Sequence, residues 1–256
     1  MIRGVMWSVW SVAIVLALAG PMVAGVLELP NPQEPIGGLF EPASAEHIFG
    51  TDRLGRDIAA RMLAGNAILV VVPLISAVLS TATGLLLGTL AVRYAKPGFR
   101  MFLDALLVIP PIILMLAIAA STGLSPGWLV FGSVLLSLPF SSRFFESILQ
   151  RVLAAGFIET ALCSGQRWQD ILLHEVLPVL ARPIGTDMSL RFIATVYLTA
   201  TASFLGGGNG DDTWATLIHS GLSGVTLNPW GVAAPALAII ALTVPPSVLL
   251  DQGDSL

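Results

Sequence analysis

Four side chains within eleven residues, His47, Asp52, Arg56 and Asp57, are of the types that hold metals or assist hydrolysis. A metal site needs several ligands that converge, each held by supporting partners. The other two histidines, His174 and His219, fall in regions assigned to other elements. Asp52 and Asp57 read better as caps of a turn and of a helix starting near Arg56, because aspartate accepts the free N–H groups of helix N-termini. No G-x-S-x-G elbow supports a hydrolase. The lone cysteine, Cys163, leaves no internal disulfide and no cysteine-pair metal site. The one lysine, Lys96, follows Ala95 rather than glycine, so no phosphate-binding loop is present and nucleotide chemistry has to come from another polypeptide. These residues predict no catalytic group, no metal ligand and no cofactor bound by this chain.

A second polar stretch, Glu159 to Pro178, interrupts two apolar segments. Phe157 to Ser164 can form a short amphipathic helix with Ile158, Ala161 and Leu162 on one face. Gly165 can reverse the chain in a left-handed conformation without a side-chain clash. Gln166 to Val176 can form a second short helix with Trp168, Ile171, Leu172 and Glu175 near one face, and Pro178 returns the chain toward the membrane. Two short helices about a sharp turn have the shape of an element that docks on a soluble partner.

The elements that carry these stretches follow from composition. Hydrophobic residues make up 55% of the 256-residue chain and charged residues 11%, with a mean hydropathy of +0.86. A soluble domain has about 25% charged residues, so this is an integral membrane protein. The net charge of −4 is weak and dispersed, which gives nucleic-acid binding no support. About 20 apolar residues cross a bilayer, and six spans are expected: Val5–Leu27, Ala67–Val92, Met101–Ser121, Trp128–Leu149, Pro183–Leu205 and Gly231–Leu250. A cleaved secretory signal is the rival reading of the first span, but its apolar run exceeds the usual 7–15 residues of a signal core.

Basic residues orient the spans. Arg3, the group Arg93, Lys96 and Arg100, and the group Arg143, Arg151, Arg167 and Arg182 alternate correctly for one side, the cytoplasm. Both termini are then cytoplasmic; Arg53, Arg56 and Arg61 run against this, in a long amphipathic segment where the rule is weaker. Asp104, Arg143, Glu146, Asp187 and Arg191 all fall within a turn or two of an expected cytoplasmic end. No carboxylate is expected at the centre of a span, and the deep polar residues are Ser76, Ser80, Thr81 and Thr199. A self-powered secondary carrier needs ionisable groups near mid-membrane, and a membrane-embedded enzyme needs a convergent polar cluster, so neither is favoured.

Glu159-x-Ala161-x-x-x-Gly165, with Pro178 downstream, resembles the EAA loop of ATP-binding-cassette (ABC) importer permeases, with Thr160 in place of the first alanine and Glu175 where the family has histidine or an apolar residue. His47-x-Phe49-Gly50-Thr51-Asp52-x-Leu54-Gly55-Arg56-Asp57 resembles the signature of the dipeptide/oligopeptide/nickel group, as a C-type permease subunit. Ser203-Phe204-Leu205-Gly206 with Trp214, and Phe102-x-Asp104 with Ile109-Pro110-Pro111, are similar to further segments of that group. Ala215 stands where the family has a glycine.

The resemblance implies an all-α polytopic protein of about six spans with the type I ABC importer permease fold and cytoplasmic coupling helices. It divides the chain into 1–65, the first span with a periplasmic segment, and 66–256, the permease core with its coupling loop at 157–178. Glu159, Ala161, Gly165, Arg167, Trp168 and Pro178 would couple to the ATPase. The implied partners are a second homologous permease, two ABC ATPase subunits that bind ATP and Mg, a periplasmic or lipid-anchored substrate-binding protein, and membrane lipid. The implied location is the bacterial inner membrane. Short peptides are the expected cargo, with nickel or a metal chelate as the alternative.

Overall fold

The computed structural model describes residues 2–64, 66–94, 101, 103, 105–123, 125–154, 164–167, 170–206 and 213–251. Among the described residues, eight α-helices carry the fold: α1 (Ile2–Val26), α2 (Ile58–Ala64), α3 (Ile68–Tyr94), α4 (Pro111–Thr122), α5 (Pro126–Leu153), α6 (Leu177–Gly206), α7 (Trp214–Gly221) and α8 (Trp230–Asp251). Among the described residues there is no β-strand, only an isolated antiparallel bridge between Thr51 and Asp57.

Among the described residues, five stretches are long and apolar enough to cross a membrane: Met6–Val26, Ile58–Tyr94, Pro126–Leu153, His174–Leu205 and Trp230–Val248. A chain in lipid must satisfy its backbone internally, which makes helices the natural spanning element. Exposed Val12, Met22, Ile113, Phe131 and Leu237 give the bundle the apolar exterior that hydrocarbon requires.

The expected third span, Met101–Ser121, is not one continuous helix. Turn and bend geometry interrupts it over residues 107–109, and α4 starts afresh at Pro111 and ends after twelve residues at Gly123. Two adjacent prolines explain the break: Pro110 takes an extended conformation, φ −64° and ψ 120°, and Pro111 opens the new helix, where its missing N–H has no intrahelical role.

α3 is the central helix and packs most extensively on α5 and then on α6. Its Gly84 and Gly88, four residues apart, let α5 approach. A Cβ at Gly84 would lie 2.3 Å from the Cβ of Ser141, and one at Gly88 would lie 2.9 Å from the Cβ of Phe145. Without a hydrophobic force between helices in lipid, small residues at such crossings let backbones pack closely. On the other flank, α1 is fastened to α8 by a hydrogen bond from Trp10 Nε1 to the Leu242 carbonyl, 3.2 Å.

The expected fifth span, Pro183–Leu205, starts earlier, at Leu177. The expected short helix Gln166–Val176 is also not separate. Residues Ile171–Val176 form a π-helical turn that runs directly into α6, with Pro178 inside the helix's first turn. A π-turn accommodates an extra residue, and it occurs just before Pro178, which has no N–H to donate to the preceding turn. Pro178 therefore modifies the helix without restarting it.

Candidate functional site

The segment joining α1 to α2 lies at one end of the bundle and is folded by its own polar groups. Asp52 Oδ1 accepts from the backbone N–H of Leu54 (2.7 Å) and of Arg56 (3.0 Å), and its Oδ2 pairs with Arg61. Asp57 Oδ1 accepts from Ala60 N–H at 2.8 Å, which caps α2, and its Oδ2 meets His47 Nδ1 at 3.0 Å. Thr51 Oγ1 donates to the Gly38 carbonyl (2.7 Å) and accepts from Glu41 N–H (2.8 Å). Thr51, Asp52 and Asp57 are all buried. Gly50, at φ +72°, has no room for a side chain, since a Cβ would come within 2.1 Å of the Glu41 carbonyl. Gly55 also lies in the left-handed region, φ +75°. The carboxylates of this cluster are thus engaged as caps and ion-pair partners, and Arg56 keeps a buried Nε with no hydrogen-bond partner.

What holds this segment down comes from far along the chain. Asn228, buried just ahead of α8, donates from Nδ2 to the carbonyls of Phe49 (2.9 Å) and Thr51 (3.3 Å). Phe49 packs on Trp230 with ring centroids 6.1 Å apart. Asn66 plays the same part for α7: its Oδ1 accepts from Trp214 N–H at 2.9 Å, while Trp214 Nε1 donates to the Met62 carbonyl at 2.9 Å. Buried side-chain amides in a chain this apolar were the available signal, because buried polar groups require partners.

At the opposite end, between α5 and α6, lies the polar interruption. Glu159, Ala161 and Trp168 lie outside the described residues. Gly165 has φ +77°, and among the described residues nothing lies within 4 Å of where its Cβ would be, so the turn is left-handed and exposed. The Arg167 carbonyl accepts from Asp170 N–H (2.9 Å) and Ile171 N–H (3.1 Å) and so opens the helical stretch that becomes α6. Pro178 is exposed, whereas Ile171 and Val176 are buried in a cluster with Phe145 and Leu149 of α5 and Leu180 of α6. This cluster ties the returning arm of the loop to the ends of two spans.

Between the two ends, the membrane interior is more polar than expected. Asp187 is fully buried, about 15 Å along α6 from Leu177. Its Oδ2 accepts from Thr81 of α3 (2.9 Å) and Ser141 of α5 (2.8 Å), and its Oδ1 accepts from Arg191 Nε (3.2 Å). Thr81 and Ser141 are near the midpoints of their helices. The expectation that every charge sits near a cytoplasmic end therefore fails for Asp187 and Arg191. Counting α6 from Pro183 placed them one to two turns too close to its start. On the same helices, Ser76 and Ser80 of α3 and Thr195, Thr199 and Ser203 of α6 carry buried hydroxyls with no hydrogen-bond partner among the described residues.

A bundle of membrane-length apolar helices, joined at one end by a clamped polar cap and at the other by an exposed loop, is a multi-pass membrane protein. Residues 80–252 match the family described as binding-protein-dependent transport system inner membrane component, and the chain belongs to that family, a group of permeases with the type I ABC importer fold. It is 31% identical over 243 residues to the "Probable peptide ABC transporter permease protein" of Sinorhizobium fredii, across 93% of this chain and 81% of the relative. It is 29% identical over 208 residues to the "Di/tripeptide transport system permease protein" of Pseudomonas aeruginosa, across 78% of this chain and 68% of the relative. The chain is accordingly a membrane permease subunit of an ABC importer.

Proposed function

We propose that this subunit forms, with a second homologous permease, the pathway by which short peptides enter the cell, and that two partner ATPases drive it through the 157–178 loop. The cargo is assigned from the peptide permeases it is similar to. The ATPases bind ATP and Mg; this chain has no nucleotide-binding loop and contributes no bond-breaking residue. A substrate-binding protein, periplasmic or lipid-anchored, delivers the peptide on the side of the Asn228 clamp, and both termini lie in the cytoplasm.

The observation that supports coupling is the burial of Ile171 and Val176 against Phe145, Leu149 and Leu180. A push on the Gly165 turn is received by side chains packed into α5 and α6, and close-packed interiors transmit displacement with little compression. α5 then carries it to α3 through the Gly84 and Gly88 contacts, and α6 through Asp187. The spans can thus shift as a unit between two openings.

The test is reconstitution of the complete importer in proteoliposomes, with uptake of a labelled dipeptide and ATP hydrolysis followed together. Gly165→Val is expected to abolish peptide uptake while the membrane complex still assembles. Full uptake by that variant would overturn the coupling role. Import of nickel or a metal chelate in preference to peptide would overturn the cargo assignment.

A further inference from the structure

Arg191 is a partly exposed cation at the midpoint of α6, and its charge partner is hidden. Asp187 is 1% exposed at its side chain and held on three sides, by Thr81, Ser141 and Arg191 Nε, whereas the Arg191 side chain is 15% exposed. Among the described residues, its terminal nitrogens have no acceptor, and they are not among the buried unpartnered atoms. Half-exposed Phe140 covers one flank, with the guanidinium carbon 5.6 Å from the ring centroid. Anything that approaches this point from outside the bundle meets a positive, planar, two-pronged donor.

Unsatisfied N–H groups at this depth are too costly to face hydrocarbon, so charged groups inside spans face a water-filled cavity or the bundle interior. The face of α6 that carries Arg191 is polar one turn to either side, with buried Asp187 four residues before it and buried Thr195 four residues after, whose hydroxyl has no hydrogen-bond partner among the described residues. A pathway that must pass peptides of varied sequence has one anionic group common to all of them, the C-terminal carboxylate. The fork of a guanidinium matches a carboxylate with two parallel hydrogen bonds.

We propose that Arg191 is a substrate-contacting, specificity-determining residue, whose two terminal nitrogens hold the C-terminal carboxylate of the peptide at mid-membrane. Asp187, pinned by Thr81 and Ser141, is the positioning residue that fixes the guanidinium in place. This rests on the peptide-import reading. It adds a selection step within the permease itself.

The test uses the complete importer in proteoliposomes, with a dipeptide and its C-terminal amide, each supplied at a concentration that saturates the binding protein. Arg191→Gln is expected to reduce uptake of the free acid at least about tenfold more than uptake of the amide, the scale of a lost charge-assisted pair. Arg191→Lys, which keeps the charge and loses the fork, is expected to fall between wild type and Arg191→Gln for the acid alone. Equal loss of both substrates, or of complex assembly, in both variants would assign Arg191 to structure or to the second permease and overturn the proposal. Unchanged uptake of both would overturn it too. Uptake of neither peptide by the wild-type importer would instead overturn the peptide reading.

Discussion

Thr81 of α3 and Asp187 of α6, 106 residues apart, share a buried hydrogen bond of 2.9 Å at the middle of the bundle. Ser141 of α5 donates to the same carboxylate oxygen at 2.8 Å, so one side chain fixes the relative height of three spans. A carboxylate taken out of water needs such partners, since an isolated ion in a low-dielectric interior is far more costly.

Removing this carboxylate leaves Arg191 without its counter-charge. Asp187→Ala is expected to destabilise the folded subunit by about 3–5 kcal/mol, and Thr81→Val by about 1 kcal/mol. The double variant Asp187→Leu with Arg191→Leu is expected to be more stable than Asp187→Ala, because it removes both charges. Thermal unfolding of the detergent-solubilised subunit measures all three. A double variant no better than Asp187→Ala would show that the ion pair is not what the site needs.

The α3–α5 crossing has no space to spare. Gly84→Val places a branched side chain where even a Cβ would lie 2.3 Å from that of Ser141. Overpacking of this kind costs about 1–3 kcal/mol. Ser141→Gly in the same chain should recover part of the loss, although it also removes a donor to Asp187. Comparing the melting temperatures of the single and double variants decides this, and no recovery at all would place the strain elsewhere.

Phe145 is the largest fully buried side chain of the cluster that receives the π-helical turn. Phe145→Ala is expected to cost about 3–5 kcal/mol and to loosen the arm that returns from Gly165. In the assembled importer, ATP hydrolysis should then continue while uptake per ATP falls. Parallel measurement of phosphate release and labelled peptide inside the vesicles tests this; an unchanged ratio would remove the cluster from the coupling route.

The polar cap depends on one side-chain amide. Asn228→Leu leaves the carbonyls of Phe49 and Thr51 without their donor, at about 1–3 kcal/mol for buried groups left unpaired. Amide hydrogen exchange should accelerate over residues 38–57 and stay unchanged over α3 and α5. Acceleration spread evenly through the spans would contradict a local clamp.

Much of the architecture is legible in the residues. The apolar runs of α1, α3 and α8 are about 20 residues or longer, and lipid leaves such runs little choice but helix. The third span is the instructive case, because Pro110-Pro111 marked its break and yet the run around it is uniformly apolar. Hydropathy measures transfer to lipid, while the break is a matter of backbone donors, which are a separate account. α6 was misjudged for the opposite reason. Arg182, Asp187 and Arg191 make its first half look like a cytoplasmic approach, but Asp187 is paired with Arg191 and hydrogen-bonded by Thr81 and Ser141, and the last two contacts come from other helices, which no local pattern reveals. The caps at Asp52 and Asp57 were legible because capping is local. Asn228 was not, because its partners lie 177 and 179 residues earlier.

That separation also sets an order of assembly. The segment around Phe49 leaves the ribosome long before Asn228 exists, and at about 5–20 residues per second the interval is roughly ten to forty seconds. Throughout it, the chain after α1 waits on its side of the membrane without the amide that closes it. The final span therefore does more than complete the bundle, since its arrival latches the first loop. A subunit that stalls before α8 would present an open cap, which makes that end of the molecule a readable mark of whether synthesis has finished.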